Sequence, residues 1–211
     1  MTTAPMSGRK AQAARNDELI LQAARAVFTA DPGAPIAAVA DRAGVGISAL
    51  YRRYGSKEAL LQKLCGDGLQ LYIAAAERAL RAEGDPWAAF RSFMADIVDA
   101  DTHSLTLALA GTFHPTEELS RDSALAGELG ERVFARASSA GVIRPDVAMA
   151  DISVLFEQLA SIRLGDEART ARLRHRYLAL LLDALHLPSG TTPLPGPPPS
   201  QEEIEARWIP A

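Results

Sequence analysis

Residues 35–57, PIAAVADRAGVGISALYRRYGSK, decide the fold because they contain two short helices, a tight turn between them and the start of a third helix. Ile36, Val39 and Ala40 recur at helical spacing, which predicts one buried face on the first of these helices. The AGV triplet at 43–45 ends that helix, since its glycine can adopt the positive φ found at helix ends. The spacing therefore predicts a helix-turn-helix.

The second short helix is predicted to begin at Ile47, to turn Leu50 inward and to leave a polar, basic face open. A small helix with an exposed tyrosine and two arginines suits a DNA major groove bordered by phosphates. An ordinary solvated face is the alternative interpretation of Arg52 and Arg53. We assign the DNA contacts to this helix and to the residues that flank the motif: Pro35, Ile47, Ser48, Ala49, Tyr51, Arg52, Arg53 and Lys57.

The last of these residues stands at a predicted helix start. Ser56 is a good N-cap residue, so we expect a third helix to begin at Lys57. The free N–H groups and the macrodipole at a helix N-terminus favour an anion, and the lysine ammonium adds a full positive charge. The combination predicts that Lys57 binds a DNA phosphate.

The segment AGVGISALYRRYGSKEALL, which starts at Ala43, resembles the helix-turn-helix of the TetR family of transcriptional repressors. The family pattern is A-G-V, a few recognition-helix residues, L-Y-x-x-F/Y, a short turn and K-x-x-L. The resemblance covers residues 16–64, and beyond them it extends only to the helical architecture. The sequence departs from the pattern at Gly46, where Ser or Thr often caps the recognition helix, and at Ala49, where Thr or Ser often stands. Base readout by Ala49 is thereby limited to apolar contact.

The predicted fold is all-α, with an N-terminal three-helix helix-turn-helix DNA-binding domain joined to a larger helical ligand-binding and dimerisation domain. Aromatic residues are scarce, at 6% of the chain, and no segment shows a convincing strand pattern. The predicted division has a flexible N-terminal arm at 1–10, the helix-turn-helix domain at 11–56, a linking helix at 57–83, the helical effector-binding and dimerisation domain at 84–187 and a proline-rich tail at 188–211.

Three local features refine this division. Gly66 and Gly68 each weaken the linking helix by about 1 kcal/mol relative to alanine, so a kink or a break is expected there. A single helix is predicted from residue 87 to about residue 110. The SQEE sequence that begins at Ser200 matches a capping box and predicts a short helix ending near Trp208, with disorder of the tail as the alternative.

Charge divides unevenly along the chain, although the net charge is only −4. Residues 1–65 contain nine Lys and Arg against five Asp and Glu, so they carry 9 − 5 = +4 and the remainder carries −8. A basic N-terminal part on an acidic body predicts that the N-terminal part faces phosphate. Cys65 is the only cysteine and no apolar run reaches 18 residues, so we expect no internal disulfide, no membrane span and a cytoplasmic location.

Catalytic and metal-binding chemistry has little basis in the sequence. The four histidines are not paired at helical spacing, and no nucleophile elbow, glycine-rich phosphate loop or zinc helix motif is present. Asp99, Asp101 and His103 could imitate an acid–base group, but a solvated helix end explains them more simply. We therefore predict no catalytic residue, no metal site, no cofactor and no enzymatic activity.

The resemblance also implies an effector cavity inside the helical body. Such an apolar cavity would accept a small hydrophobic or aromatic molecule with few polar handles. For any individual lining residue, ordinary core is the simpler interpretation. The candidate lining residues are Phe90, Phe93, Met94, Ile97, His103, Leu107, Phe113, Phe134 and Phe156.

The last two long helices each carry an apolar stripe, which predicts a homodimer because helix-turn-helix proteins usually read two half-sites as dimers. Packing of both stripes on the body of the same chain is the alternative. The stripe residues are Ile152, Leu155, Leu159, Leu173, Tyr177, Leu180, Leu181 and Ala184.

Three hypotheses about function follow from these features. The first is a DNA-binding transcriptional regulator, most simply a repressor that binds a palindromic operator as a dimer and is released by a ligand. The second is a helical small-molecule binding protein with a vestigial DNA reader. The third, an enzyme built on the same helical body, has no motif to support it.

Overall fold

The chain is all-α, as predicted, in a computed structural model that describes residues 8–186 and 192–205. Within these ranges the extended pairing is limited to one isolated bridge between Ile143 and His186. The helices of the described residues are α1 Gly8–Ala30, α2 Ile36–Ala43, α3 Ile47–Tyr54, α4 Lys57–Arg81, α5 Pro86–Ala100, α6 Thr102–Leu109, α7 Glu117–Ser139, α8 Met149–Ser161, α9 Glu167–Leu185 and α10 Gln201–Glu205.

The turn between α2 and α3 forms as the sequence predicts. Gly44 has φ 66°, and the N–H of Val45 donates to the carbonyl of Ala40 at 3.0 Å, which closes α2 in the manner of a Schellman motif. Ser56 caps α4, because its hydroxyl accepts the N–H of Ala59 at 3.0 Å. The helix-turn-helix is therefore fixed by local backbone chemistry.

Helix α1 begins at Gly8, three residues before its predicted start, so residues 8–10 of the predicted arm are helical. The rest of that arm, residues 1–7, lies outside the described residues. Helix α4 runs without interruption through Gly66 and Gly68, and the expected break is absent. The linking element is thus one continuous helix between the two halves of the chain.

The helix predicted for residues 87–110 is wrong, because the chain breaks at Asp101 into α5 and α6. Asp101 has φ 47° and ψ 39°, the left-handed conformation that aspartate tolerates better than most residues. Its carboxylate accepts hydrogen bonds from Ser104 and Arg174, which hold it in place. Neither glycine nor proline marks the break, so the local sequence does not reveal it.

Two apolar cores form, and the boundary between them differs from the predicted domain boundary. The body core gathers α5, α7, α8, α9 and the second half of α4 around the fully buried Phe90 and Met94. The reader core gathers α1 to α3 and the first half of α4 around Phe28 and Leu50. Helix α6 contributes Leu105 and Leu109 to the reader core, and Phe113 follows them into it. The reader therefore includes a piece of the C-terminal half of the sequence.

The predicted capping box at Ser200 is confirmed and starts α10. The Ser200 hydroxyl accepts the N–H of Glu203 at 3.1 Å, while the Glu203 carboxylate accepts the N–H of Ser200 at 2.7 Å. Asp146 accepts the N–H of Leu194 at 3.0 Å, which attaches the proline-rich segment to the body. The expectation for Trp208 falls outside the described residues.

Two glycines in helix interiors give opposite expectations for substitution by alanine. At Gly68 of α4 an added Cβ would have no atom within 4 Å, so Gly68→Ala should raise the free energy of unfolding by about 1 kcal/mol through helix propensity. At Gly130 of α7 the same Cβ would overlap the Tyr72 hydroxyl, so Gly130→Ala should lower it by about 1–3 kcal/mol. Urea unfolding of both variants checks this, and equal shifts in the two would contradict it.

Candidate nucleic-acid interface

The open face of α3 consists of residues on adjacent turns. Ile47 is 43% exposed and Tyr51 is 46% exposed, and Ser48 and Arg52 lie beside them with exposed side chains. Positions i, i+1, i+4 and i+5 of a helix share one side, so these four residues form a single surface. Leu50 is fully buried and anchors the opposite side of α3 in the reader core.

Arg53 fixes α3 to α1 through an ion pair. Its guanidinium contacts the Asp17 carboxylate with Nη2–Oδ2 at 2.5 Å and Nε–Oδ1 at 2.8 Å, and the hydrogen bond raises the pKa of Arg53. Arg52 is exposed and has no ion pair within the described part of the chain. Of the two arginines predicted to contact DNA, Arg52 is therefore the one whose charge is not already paired.

The side chain of Lys57 is bonded to the loop between α1 and α2. Its Nζ donates to the carbonyl oxygens of Pro32 at 2.9 Å and Ala34 at 2.8 Å, and it lies 5.1 Å from the centre of the Phe28 ring. These contacts hold the loop between α1 and α2 against the start of α4. They give Lys57 a structural role that reasoning from the helix end alone missed, while contact with phosphate stays a prediction.

The remaining predicted contacts lie at the edges of the motif. Pro35 is the N-cap residue of α2, one position before the helix, with φ −69° and ψ 152°. Ala49 is half-buried at the side of the α3 face. Gly46 caps α3 without a side-chain hydrogen bond, as its lack of a side chain requires.

The predicted effector residues separate into those buried in the body core, those outside it, and His103, which lies beside a small void. Phe90, Phe93, Met94, Ile97, Phe134 and Phe156 are all buried in the body core. Phe93 and Phe156 meet edge to face with ring centres 6.2 Å apart. Phe113 lies in the reader core and Leu107 is 38% exposed, so neither lies among the buried aromatic residues of the body.

His103 lies beside a small void of about 10 Å³ between α5, α6, α8 and α9. Its ring stacks on Phe156 with centres 4.8 Å apart, and Nδ1 is 3.1 Å from the Thr102 hydroxyl oxygen. Burial lowers the pKa of His103 to about 4, so the imidazole is neutral at physiological pH. The space beside His103 has room for about one water molecule.

A much larger open cleft of about 810 Å³ separates α1 and α2 from the body, and sequence reasoning did not foresee it. Its walls combine apolar and polar side chains and carry both signs of charge. Arg25 and Arg42 lie on the reader side, while Asp99, Arg163 and Arg174 lie on the body side. Its two walls come from segments far apart in sequence, which is why no local pattern predicts it.

The predicted dimer stripe is divided between core and surface. Ile152, Leu159 and Leu173 are at most 8% exposed and pack within the chain, so they cannot form a dimer surface as predicted. Leu155 and Leu181 are partly buried. Tyr177 is 44% exposed and Leu180 is 57% exposed, and Ala184 extends the same face of α9. We call Tyr177, Leu180, Leu181 and Ala184 the α9 outer face.

A two-helix reader with an open polar face, attached to a helical body, defines a transcription regulator of the helix-turn-helix class. Residues 20–64 match the family described as bacterial regulatory proteins, tetR family, and residues 85–187 match the C-terminal domain of SbtR-like transcriptional regulators. The chain belongs to the TetR family of transcriptional regulators.

Solved structures agree with this assignment. A TetR regulator from Mycobacterium vanbaalenii is 29% identical over 84% of this chain and 99% of its own, with a TM-score of 0.54. LfrR from Mycobacterium smegmatis, solved in complex with proflavine, is 25% identical over 86% and 99%, with a TM-score of 0.58. The ketosteroid regulator KstR2 of Mycobacterium tuberculosis shares the fold at 18% identity over 82% and 96%, with a TM-score of 0.62.

Among curated proteins no match is found. Within the described residues, no helix combines the length and the apolar character needed to cross a bilayer.

Lys57→Met should lower the free energy of unfolding by about 1–3 kcal/mol, because two carbonyl oxygens would lose a charged hydrogen-bond donor. Lys63→Met is the matched control, since Lys63 makes an exposed ion pair with Asp67 and should change stability by less than about 1 kcal/mol. Denaturant unfolding measures both. Indistinguishable stabilities would show that the Lys57 contacts contribute nothing.

Proposed function

We propose that this protein is a dimeric repressor that binds a palindromic operator through α3 and is released by a small hydrophobic or aromatic effector. The observation that carries the proposal is the exposed face formed by Ile47, Ser48, Tyr51 and Arg52 on a helix held rigidly from behind. A short helix presenting polar side chains can enter a major groove while an arginine beside them contacts phosphate.

The dimer part of the proposal is supported by the α9 outer face. Leu180 and Tyr177 are large apolar side chains that remain exposed in the single chain, and Ala184 continues their face by one turn. A second copy that covers this face would remove them from water and would place two readers on one DNA duplex. A homodimer matches the two-fold symmetry of a palindromic operator.

The effector part rests on the aromatic interior of the body. The LfrR structure contains proflavine, a ligand of that relative. In this chain the rings of His103 and Phe156 stack, and a planar aromatic molecule could replace that stacking contact. A drug-sized ligand needs a few hundred Å³, so the void of about 10 Å³ must enlarge when an effector enters. Such an enlargement displaces α6, which carries part of the reader core.

Repressor action then follows from linkage. An effector that binds better to the enlarged body lowers operator affinity only by its differential affinity for the two conformations, typically about 1–3 kcal/mol. The second candidate, a small-molecule binding protein with a vestigial reader, would bind an effector without this coupling. We place the repressor in the cytoplasm, where chromosomal DNA is accessible to it.

The test of the proposal is selection from a randomised DNA duplex library by the purified full chain. Enrichment of one inverted repeat, bound with a strong salt dependence, is the expected result. Equal, weak retention of all sequences would contradict the repressor proposal and favour the vestigial reader.

Substitutions on the open face of α3 should distinguish residues that contact phosphate from residues that read bases. Arg52→Met should weaken binding to all sequences and reduce the slope of log affinity against log salt by about one, because one phosphate contact is lost. Tyr51→Phe and Ser48→Ala should instead change the selected bases. Arg91→Met removes an exposed arginine of α5 and serves as the control with no expected effect. A salt slope unchanged in Arg52→Met would remove Arg52 from the phosphate contacts.

Burying a charge in the α9 outer face should dissociate the dimer. Leu180→Glu is expected to cost several kcal/mol of association free energy if Leu180 is buried between two copies, since an unpaired carboxylate would be desolvated. Leu125→Glu on α7 is the matched control, because Leu125 is 41% exposed on another helix. Sedimentation velocity should show a monomer for Leu180→Glu and a dimer for Leu125→Glu. A dimeric Leu180→Glu protein would place the interface elsewhere.

A further inference from the structure

Arg174 is a buried cation that ties three helices together. It lies on α9 and is only 8% exposed. Its guanidinium donates Nη1 to the Asp101 carboxylate at 2.6 Å and Nη2 to the Ala160 carbonyl at 2.8 Å. The Ser104 hydroxyl oxygen lies 3.1 Å from Nη2. A buried charge is tolerated when it is paired and hydrogen-bonded, as here, so α9, the end of α8 and the start of α6 are fixed relative to one another.

Asp101 extends this connection to the reader. Its carboxylate is bonded to Arg174 of α9, and its backbone carbonyl oxygen accepts from Nη1 of Arg25 on α1 at 3.3 Å. The left-handed backbone at Asp101 lies at the junction between the body helix α5 and the reader-core helix α6. One residue is thus bonded both to the proposed dimer helix and to the first helix of the reader.

A second arginine spans the same cleft. Arg163 lies in the connection between α8 and α9, and its Nη1 donates to the Thr29 carbonyl oxygen near the end of α1 at 3.0 Å. Both hydrogen bonds to α1 lie at the border of the cleft of about 810 Å³. Because Arg25 and Thr29 lie one helical turn apart, the two bonds hold α1 at neighbouring points.

We propose that Arg25 and Arg163, seated by the Asp101–Arg174 pair, are positioning residues that set the angle of the reader relative to α9. In a dimer formed through α9, that angle determines the distance between the two α3 helices and hence the half-site spacing that the protein accepts. This inference rests on the proposed function and adds a specific determinant of operator geometry to it. The two arginines act through α1 and make no contact with DNA.

The variant that tests the proposal is the double substitution Arg25→Met and Arg163→Met. Methionine keeps much of the apolar length of each side chain and removes the hydrogen-bond donors. The double substitution Arg25→Lys and Arg163→Lys is the conservative counterpart, because lysine can still donate to the same carbonyl oxygens. Arg91→Met with Arg121→Met removes two exposed arginines of the body that lie away from α9, and it controls for the change in net charge.

The first measurement compares the selected inverted repeat with versions in which the half-sites are moved apart or together by a single base pair. Wild type should lose affinity about tenfold or more for the altered spacings, because a dimer with a fixed angle fits one separation. The methionine variant should lose less than about threefold. Its affinity for an isolated half-site should equal that of wild type, and the lysine variant should recover the wild-type spacing preference. A general loss of folding would not produce this combination.

The second measurement needs no operator. A nitroxide label on Ser48→Cys in a Cys65→Ser background reports the distance between the two α3 helices of the DNA-free dimer by pulsed electron resonance. The methionine variant should give a broader distance distribution than wild type, and the lysine variant should not.

The outcomes separate the two proposals. A methionine variant that keeps both the wild-type spacing preference and the wild-type distance distribution would overturn the positioning role and leave the repressor proposal intact. A wild-type chain that selects no inverted repeat would overturn the repressor proposal. The positioning role would still be tested by the distance distribution of the dimer, and a monomeric wild type would overturn both.

Discussion

The apolar contact between α6 and the reader is the constraint on which the rest of the structure depends. Leu105 and Leu109 of α6 are buried in the same core as Phe28 and Leu64, so the reader is completed by residues from the second half of the chain. Moving α6 would expose or overpack these side chains, because protein interiors are as closely packed as crystals. A rearrangement of the body that moves α6 therefore also moves α1 and α4, against which α3 packs.

This contact gives the proposed effector a route from His103 to the reader. The ring of His103 lies against Phe156 of the body core, while its neighbours Thr102 and Ser104 are buried at the start of α6. A ligand that separates His103 from Phe156 must displace the first turn of α6. In the proposed switch, the energy available is the difference in effector affinity between the two conformations of the body.

The predictions that hold depend on local chemistry. The left-handed Gly44, the inward Leu50 and the Ser56 cap can each be predicted from neighbours within a few residues. The helix predicted across residues 87–110 fails because it depends on a distant partner. Asp101 breaks that helix, and Arg174, 73 residues away, holds its carboxylate together with the nearby Ser104. The bonds of the Lys57 ammonium to two carbonyl oxygens of the preceding loop could not be predicted either, and they leave its contact with phosphate untested. Neither partnership leaves a periodic signal in the sequence.

The same distinction applies to the dimer stripe. The helical spacing of apolar residues along α9 predicts which faces of the helix are covered. It does not tell whether a face is covered by the body of the same chain or by a second copy. Leu173 and Leu182 face the body, whereas Leu180 and Tyr177 remain exposed. The exposed pair Tyr177 and Leu180 and the buried pair Leu178 and Leu182 both have spacings typical of one helix face. Only the three-dimensional arrangement therefore shows which pair faces the body. The surface that we propose for a second copy therefore consists of residues that intramolecular packing leaves uncovered. They lie on the helix whose buried Arg174 is bonded to Asp101, at the junction with the reader.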